Sequence, residues 1–151
     1  MKRTPLKRSK TFNSKPLSSP KTPRRAKKKL ETIKHLRNAC DALIQQIGRL
    51  KYPRSEVSGQ PSEVIHHICP KSVSNALRYD WDNLVALTNA EHMRHHQAGD
   101  PIIFGTILFK RGQEWWDKLL KRRYKETIKT DRAYYESVRE RLEKELNAIM
   151  R

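Results

Sequence analysis

The sequence predicts an α+β fold: a mainly helical chain built around a small unit of two strands and a helix, with a basic disordered N-terminal tail. Three observations carry this. Residues 30–50, 111–124 and 131–150 place apolar side chains at steps of three and four, the period of a helix with one buried face. Two short apolar runs, Glu63–Ile68 and Leu84–Leu87, lie between turn-forming residues and have strand length. Residues 1–29 hold twelve Lys and Arg, no Asp or Glu, and many Ser, Thr and Pro, a composition that cannot bury enough apolar surface to fold alone.

The tail accounts for most of the formal charge of +17: it holds 12 of the 33 basic residues, leaving 21 basic against 16 acidic in residues 30–151. A charge of this sign and size points to a polyanionic partner, nucleic acid first of all. Arg24, Arg25, Lys27, Lys28 and Lys29 are expected to hold DNA phosphates without reading sequence. The rest of the chain, 30–151, is expected to be one domain.

In the first helix, 30–50, Ile33, Leu36, Cys40, Leu43, Ile44, Ile47 and Leu50 share a face; Gly48 lies near its end and Pro53 stops it. Residues 51–62 are a loop rich in Pro, Ser and Gly. The strand at Glu63–Ile68 ends at Pro70, a polar loop follows over 71–82, and Leu84–Leu87 forms the second strand. Thr88 or Asn89 caps a helix over about Ala90–Ala98, which Gly99-Asp100-Pro101 ends. The two strands and this helix make a central unit over about 63–98. Residues 102–109 fit a strand or a short helix equally well. Trp115, Trp116, Leu119 and Leu120 anchor the helix at 111–124, and Tyr135, Val138, Leu142, Leu146 and Ile149 the last one.

No apolar run is long enough to span a bilayer, and no apolar segment follows the basic N-terminus as a secretory signal would require. A cytoplasmic protein without a membrane partner is expected, a monomer or weak homodimer. Cys40 and Cys69 are expected to be reduced, and two cysteines are too few for an all-cysteine zinc site.

Five of the six histidines fall between Val64 and His96. His66 and His67 are neighbours on a strand, so they meet different surroundings. His92 and His96 are four apart on a helix and share a face, a spacing at which two imidazoles can grip one metal ion. A strand histidine facing that helix would supply a third ligand.

In this order, His66-His67, Asn83-Leu84 and His92-Met93-Arg94-His95-His96 resemble the HNH endonuclease family, in particular its small phage and mobile-element members. The resemblance covers the 33 residues from Val64 to His96. It implies a ββα-metal unit in which His66, His92 and His96 hold one divalent ion, His67 is the general base, and Asn83 keeps the hairpin loop, and through it the base, in place. The implied activity is metal-dependent hydrolysis of DNA phosphodiester bonds with low sequence specificity, leaving 5′-phosphate and 3′-hydroxyl ends. A neutral imidazole suits the base role near neutral pH. The ion could be Mg, Mn, Ni, Co or Zn, and imidazole ligands favour the transition metals. Arg78 and Arg94 flank the motif and are expected at phosphates; His95 is expected on the helix surface, and the tryptophans in the core.

Many members of the family brace this unit with a zinc ion on two Cys-x-x-Cys pairs. Here Ser55–Gly59 occupies the place of the first pair, and Thr88 and Glu91 that of the second, so no structural zinc is expected. The competing expectation is a non-catalytic nucleic-acid-binding protein with a structural metal site, which would have no use for His67.

Overall fold

At the centre of the computed structural model, which describes residues 30–151, two short strands pair antiparallel: β1 (Val64–His67) and β2 (Leu84–Leu87). The register sets Val64 against Leu87, Ile65 against Ala86, His66 against Val85 and His67 against Leu84. Successive side chains of β2 point to opposite faces, yet all four are buried. That requires cover on both sides, and helices provide it.

On one face lie α1 (Ile33–Lys51) and α5 (Arg132–Ile149). Their apolar stripes, Leu36, Cys40, Ile44 and Ile47 from α1 and Tyr135, Val138 and Leu142 from α5, pack with Ile65, Tyr79, Leu84 and Ala86. Gly48 permits the contact between α1 and β1, since a Cβ there would lie 2.4 Å from Cγ1 of Ile65. On the other face α3 (Pro101–Arg111) lays Ile103 and Ile107 on Val85 and Leu87, with Val57, Val64, Ile68 and Trp115 at the margin. A third cluster joins Cys69 and Leu77 of the long connection to Leu119 of α4 (Gln113–Lys125).

Residues 102–109, whose sequence suits a strand or a helix, lie within the helix α3. Asp100 accepts a hydrogen bond from the Ile102 amide and Pro101 fills the first helical position, so the three residues that end one helix also start the next. Gly112, at φ 87°, separates α3 from α4. Asp131 caps α5 by accepting from the Tyr134 amide at 3.0 Å. The 71–82 connection, expected as a loop, ends in a 3₁₀ turn at Trp81–Asn83.

After β2, Thr88 and Glu91 form a reciprocal capping box that opens α2 (Asn89–Met93). The helix then widens into a π turn over Arg94–Ala98, where the Gly99 amide bonds the Arg94 carbonyl five residues back.

The tryptophans pack: Trp81 joins the first cluster, Trp115 donates to the Asp82 carbonyl at 2.9 Å, and Trp116 meets Phe104 edge-on. Cys40 and Cys69 are free and buried. Among the described residues, no helix is long and apolar enough to cross a membrane. Arg24, Arg25, Lys27, Lys28 and Lys29, expected to bind DNA, lie outside the described residues.

Candidate metal centre

The register puts His66 on the face of the hairpin that looks towards α2, and three imidazoles meet it there. Its ring centroid is 5.1 Å from that of His92, 4.9 Å from His95 and 4.9 Å from His96, while His92 and His96 are 4.5 Å apart. Ligand nitrogens of His66, His92 and His96 all lie within 4.8 Å of one another, so this group could hold a metal ion.

The residues fit such an ion on chemical grounds. His66 is buried, and its Nε2 has no hydrogen-bond partner. An unpaired buried polar atom is costly, and a cation at the cluster would satisfy it. Burial, and then the surrounding imidazoles, push the His66 pKa down to about 3. It is therefore neutral at any ordinary pH, the form a metal requires. Burial first, then the neighbouring imidazoles, lower His92 and His95 too.

His95 departs from the expected surface position. It is half-buried with its ring beside that of His66. The signal was in the spacing: a residue three after His92 lies on the same helical face as the one four after it.

His67 has a different environment from its neighbour. Its Nε2 lies 2.8 Å from the carbonyl oxygen of Arg78. A carbonyl only accepts, so Nε2 carries the ring proton and donates it, and Nδ1 keeps its lone pair. Burial lowers the His67 pKa, while the Arg78 bond works against that and Lys71 adds to it. Both histidines line one cleft of about 280 Å³ with Gln45, Lys71, His92 and His96.

Asn83 is fully buried and does not face the cleft. Its side-chain amide donates to the carbonyls of Cys69 and Leu77, at 3.0 Å each, and its oxygen accepts from the Cys69 amide at 2.6 Å. It thus closes the loop that ends one residue before Arg78. Asn83 holds the backbone of this loop.

Arg78 does not offer its guanidinium to solvent. Its Nε and Nη2 donate to the two carboxylate oxygens of Asp41, at 3.0 and 2.5 Å, and its side chain is only 11% exposed. What it presents to the site is its backbone carbonyl. Arg94 stands 56% exposed on the π turn, 3.7 Å from the Asp100 carboxylate. Sequence reasoning missed Lys71, a cation lining the cleft, and missed Asp41 and Gln45 because their partners are far along the chain.

Ser55, Ser58, Thr88 and Glu91 are joined directly. The buried Glu91 carboxylate accepts from the Ser55 hydroxyl at 2.5 Å, the Ser58 amide at 3.1 Å and the Thr88 amide at 2.8 Å. Hydrogen bonds thus cross-link the loop before β1 to the start of α2.

A larger cavity, about 570 Å³, lies among Tyr79, Asp80, Trp81, Arg122, Tyr134 and Arg141 and has no histidine or cysteine in its wall. Of the two, the histidine cleft is the one lined by side chains that can ligate a metal. No protein-family model, curated protein or solved structure matches the chain.

Proposed function

We propose that this chain is a metal-dependent endonuclease of the HNH type that hydrolyses DNA phosphodiester bonds, with His66, His92 and His96 around one divalent cation and His67 as general base. The observation that carries the reading is the contrast between two adjacent histidines. His66 turns a buried, partnerless nitrogen to the imidazole cluster. His67 is tied through Nε2–H to a carbonyl and keeps Nδ1 able to accept a proton. A purely structural metal site uses the first arrangement and has no need of the second.

Bound at the three imidazoles, a divalent cation would supply Lewis-acid neutralisation of the phosphate and of the departing oxygen. The chain's own part begins at His67, whose Nδ1 takes a proton from a water molecule. The water oxygen bonds to phosphorus as the bond from phosphorus to the 3′ oxygen breaks. That oxygen takes a proton from solvent, leaving 5′-phosphate and 3′-hydroxyl ends. Lys71 at the cleft and Arg94 on the π turn would pair with phosphates beside the cut. The basic residues of the first 29 positions hold the duplex nearby with little regard for sequence. An all-imidazole donor set favours Mn, Co, Ni or Zn over Mg, which prefers oxygen ligands. One site cuts one strand, so the first product is a nick.

The test is cleavage of supercoiled plasmid with EDTA, Mg, Mn, Ni or Zn, for the natural chain and His67→Ala. Nicking is expected with at least one metal and none with EDTA. The variant should bind the metal as tightly and cut about 100-fold more slowly or worse. Failure to cut plasmid, single-stranded and branched DNA with every metal would overturn the reading in favour of a nucleic-acid-binding protein.

A further inference from the structure

α1 lies outside the unit of two strands and a helix, yet its polar face is wired to both histidines of β1. Gln45 grips the residue before His66 at two points. Its Nε2 donates to the Ile65 carbonyl at 2.6 Å, and its Oε1 accepts from the Ile65 amide at 2.9 Å. One turn earlier on the same face stands Asp41. Its carboxylate takes two hydrogen bonds from the Arg78 guanidinium, and the Arg78 carbonyl takes the ring proton of His67.

A planar guanidinium held at two points on a carboxylate is fixed in orientation as well as place. Here that matters because of what Arg78 is attached to. Its segment has no strand or helix to align its carbonyl. Asn83 anchors the loop as far as Leu77, and the next residue is held through its side chain by Asp41. Lys71 also draws near the Asp41 carboxylate, at 3.7 Å, so the same acid faces the cleft's lysine.

We infer that Asp41 is a positioning residue for His67: acting through Arg78, it holds the carbonyl that keeps the His67 ring proton on Nε2 and reserves Nδ1 for the proton taken from water. The role in cutting rests on His67 being the base. The hold on the ring proton stands apart from that. Without the brace the carbonyl drifts, the ring turns or exchanges its proton between nitrogens, and the active form becomes one of several. The proposed ligands of the metal, on the far face of β1, on α2 and on the π turn after it, are untouched.

The test uses the full chain with ¹⁵N-labelled histidine, at a pH where His67 is neutral, comparing the natural protein with Asp41→Asn, Arg78→Lys and Asp41→Glu. The natural protein should show His67 as a single Nε2–H tautomer with a slowly exchanging ring proton. Asp41→Asn and Arg78→Lys, the second breaking the fork while keeping the charge, should give mixed tautomers and fast exchange, with Asp41→Glu restoring part of both. In plasmid nicking the two disruptive variants should lose about 10–100-fold in kcat. KM for DNA and affinity for Mn²⁺ should stay within a factor of about two, small against a change of that size. An unchanged tautomer and slow exchange in a folded Asp41→Asn or Arg78→Lys protein overturns the proposal, as does a parallel loss of Mn²⁺ affinity. If the natural protein nicks no DNA while the ring proton responds as described, the nuclease reading falls and the brace stands.

Discussion

Replacing Glu91 with alanine removes the acceptor at the centre of the cross-link between the loop before β1 and the start of α2. The carboxylate is only 3% exposed and accepts three hydrogen bonds, from the Ser55 hydroxyl and from the amides of Ser58 and Thr88. The hydroxyl can turn to a new partner, and the Ser58 amide, on an exposed residue, can bond water or the Ser55 hydroxyl, but the half-buried Thr88 amide is fixed in place. That one stranded donor costs about 1–3 kcal/mol and the capping box goes with it, so the whole loss is about 2–3 kcal/mol. For a folded unit of roughly this length, 1 kcal/mol moves Tm by about 4 °C, so a fall of about 8–12 °C is expected. The assay is thermal and urea unfolding at neutral pH with EDTA present, which keeps metal binding out of the comparison. Acid supplies a second check. Burial raises the Glu91 pKa, but the bonds from Ser55, Ser58 and Thr88 outweigh it and hold the carboxyl below its ordinary 4.5. Its contribution is therefore complete above 4.5 and is lost as pH falls through the lower folded value, so natural and variant chains should converge in acid. A loss under about 1 kcal/mol at neutral pH, within the range of an ordinary surface change, would refute the reasoning.

The geometry sets two further outcomes. Gly48→Ala gains helix propensity but drives a Cβ to 2.4 Å from Cγ1 and 2.7 Å from Cδ1 of the buried Ile65. Overpacking wins, and the urea midpoint should fall by the equivalent of about 1 kcal/mol; a more stable variant would show that Ile65 yields freely. The rate of nicking should rise with pH and level off with a midpoint below 6.5, because burial depresses the His67 pKa and the base works unprotonated. Activity is thus lost as pH falls through the depressed value; a midpoint above neutrality would assign the step to another group.

Local patterns were readable and long-range partnerships were not. The stripes of α1, α4 and α5 follow from a period that one segment displays by itself, and so does the apolar run of β2. The run at 102–109 was ambiguous because its β-branched and aromatic residues suit a strand as well as a helix. The deciding signal, an Asp capping residue with Pro at the first helical position, sat just before it and had been assigned to ending α2. Within the site, the pairing of His92 with His96 came from spacing, and His66 as the third member came only from the resemblance. Arg78 looked available for phosphate because its partner is not among its neighbours in sequence: it is Asp41, 37 residues earlier. Glu91 and Ser55 are 36 residues apart, and no rule of periodicity links them.

The π turn at Arg94–Ala98 constrains how the chain can change length. A π turn carries one residue more than the α turn it replaces. From His96 to Ile103 only Gly99 and Asp100 stand between one helix and the next. A single deletion between Pro101 and Ile103, inside the regular helix and beyond the reach of the π turn, would rotate the apolar face of α3 by about 100°. Ile103 and Ile107 would swing off Val85 and Leu87, uncovering one side of the hairpin while the histidines stayed in place. The spacing from the last histidine to the first apolar anchor of α3 is therefore the interval that a working copy of this chain has least freedom to alter.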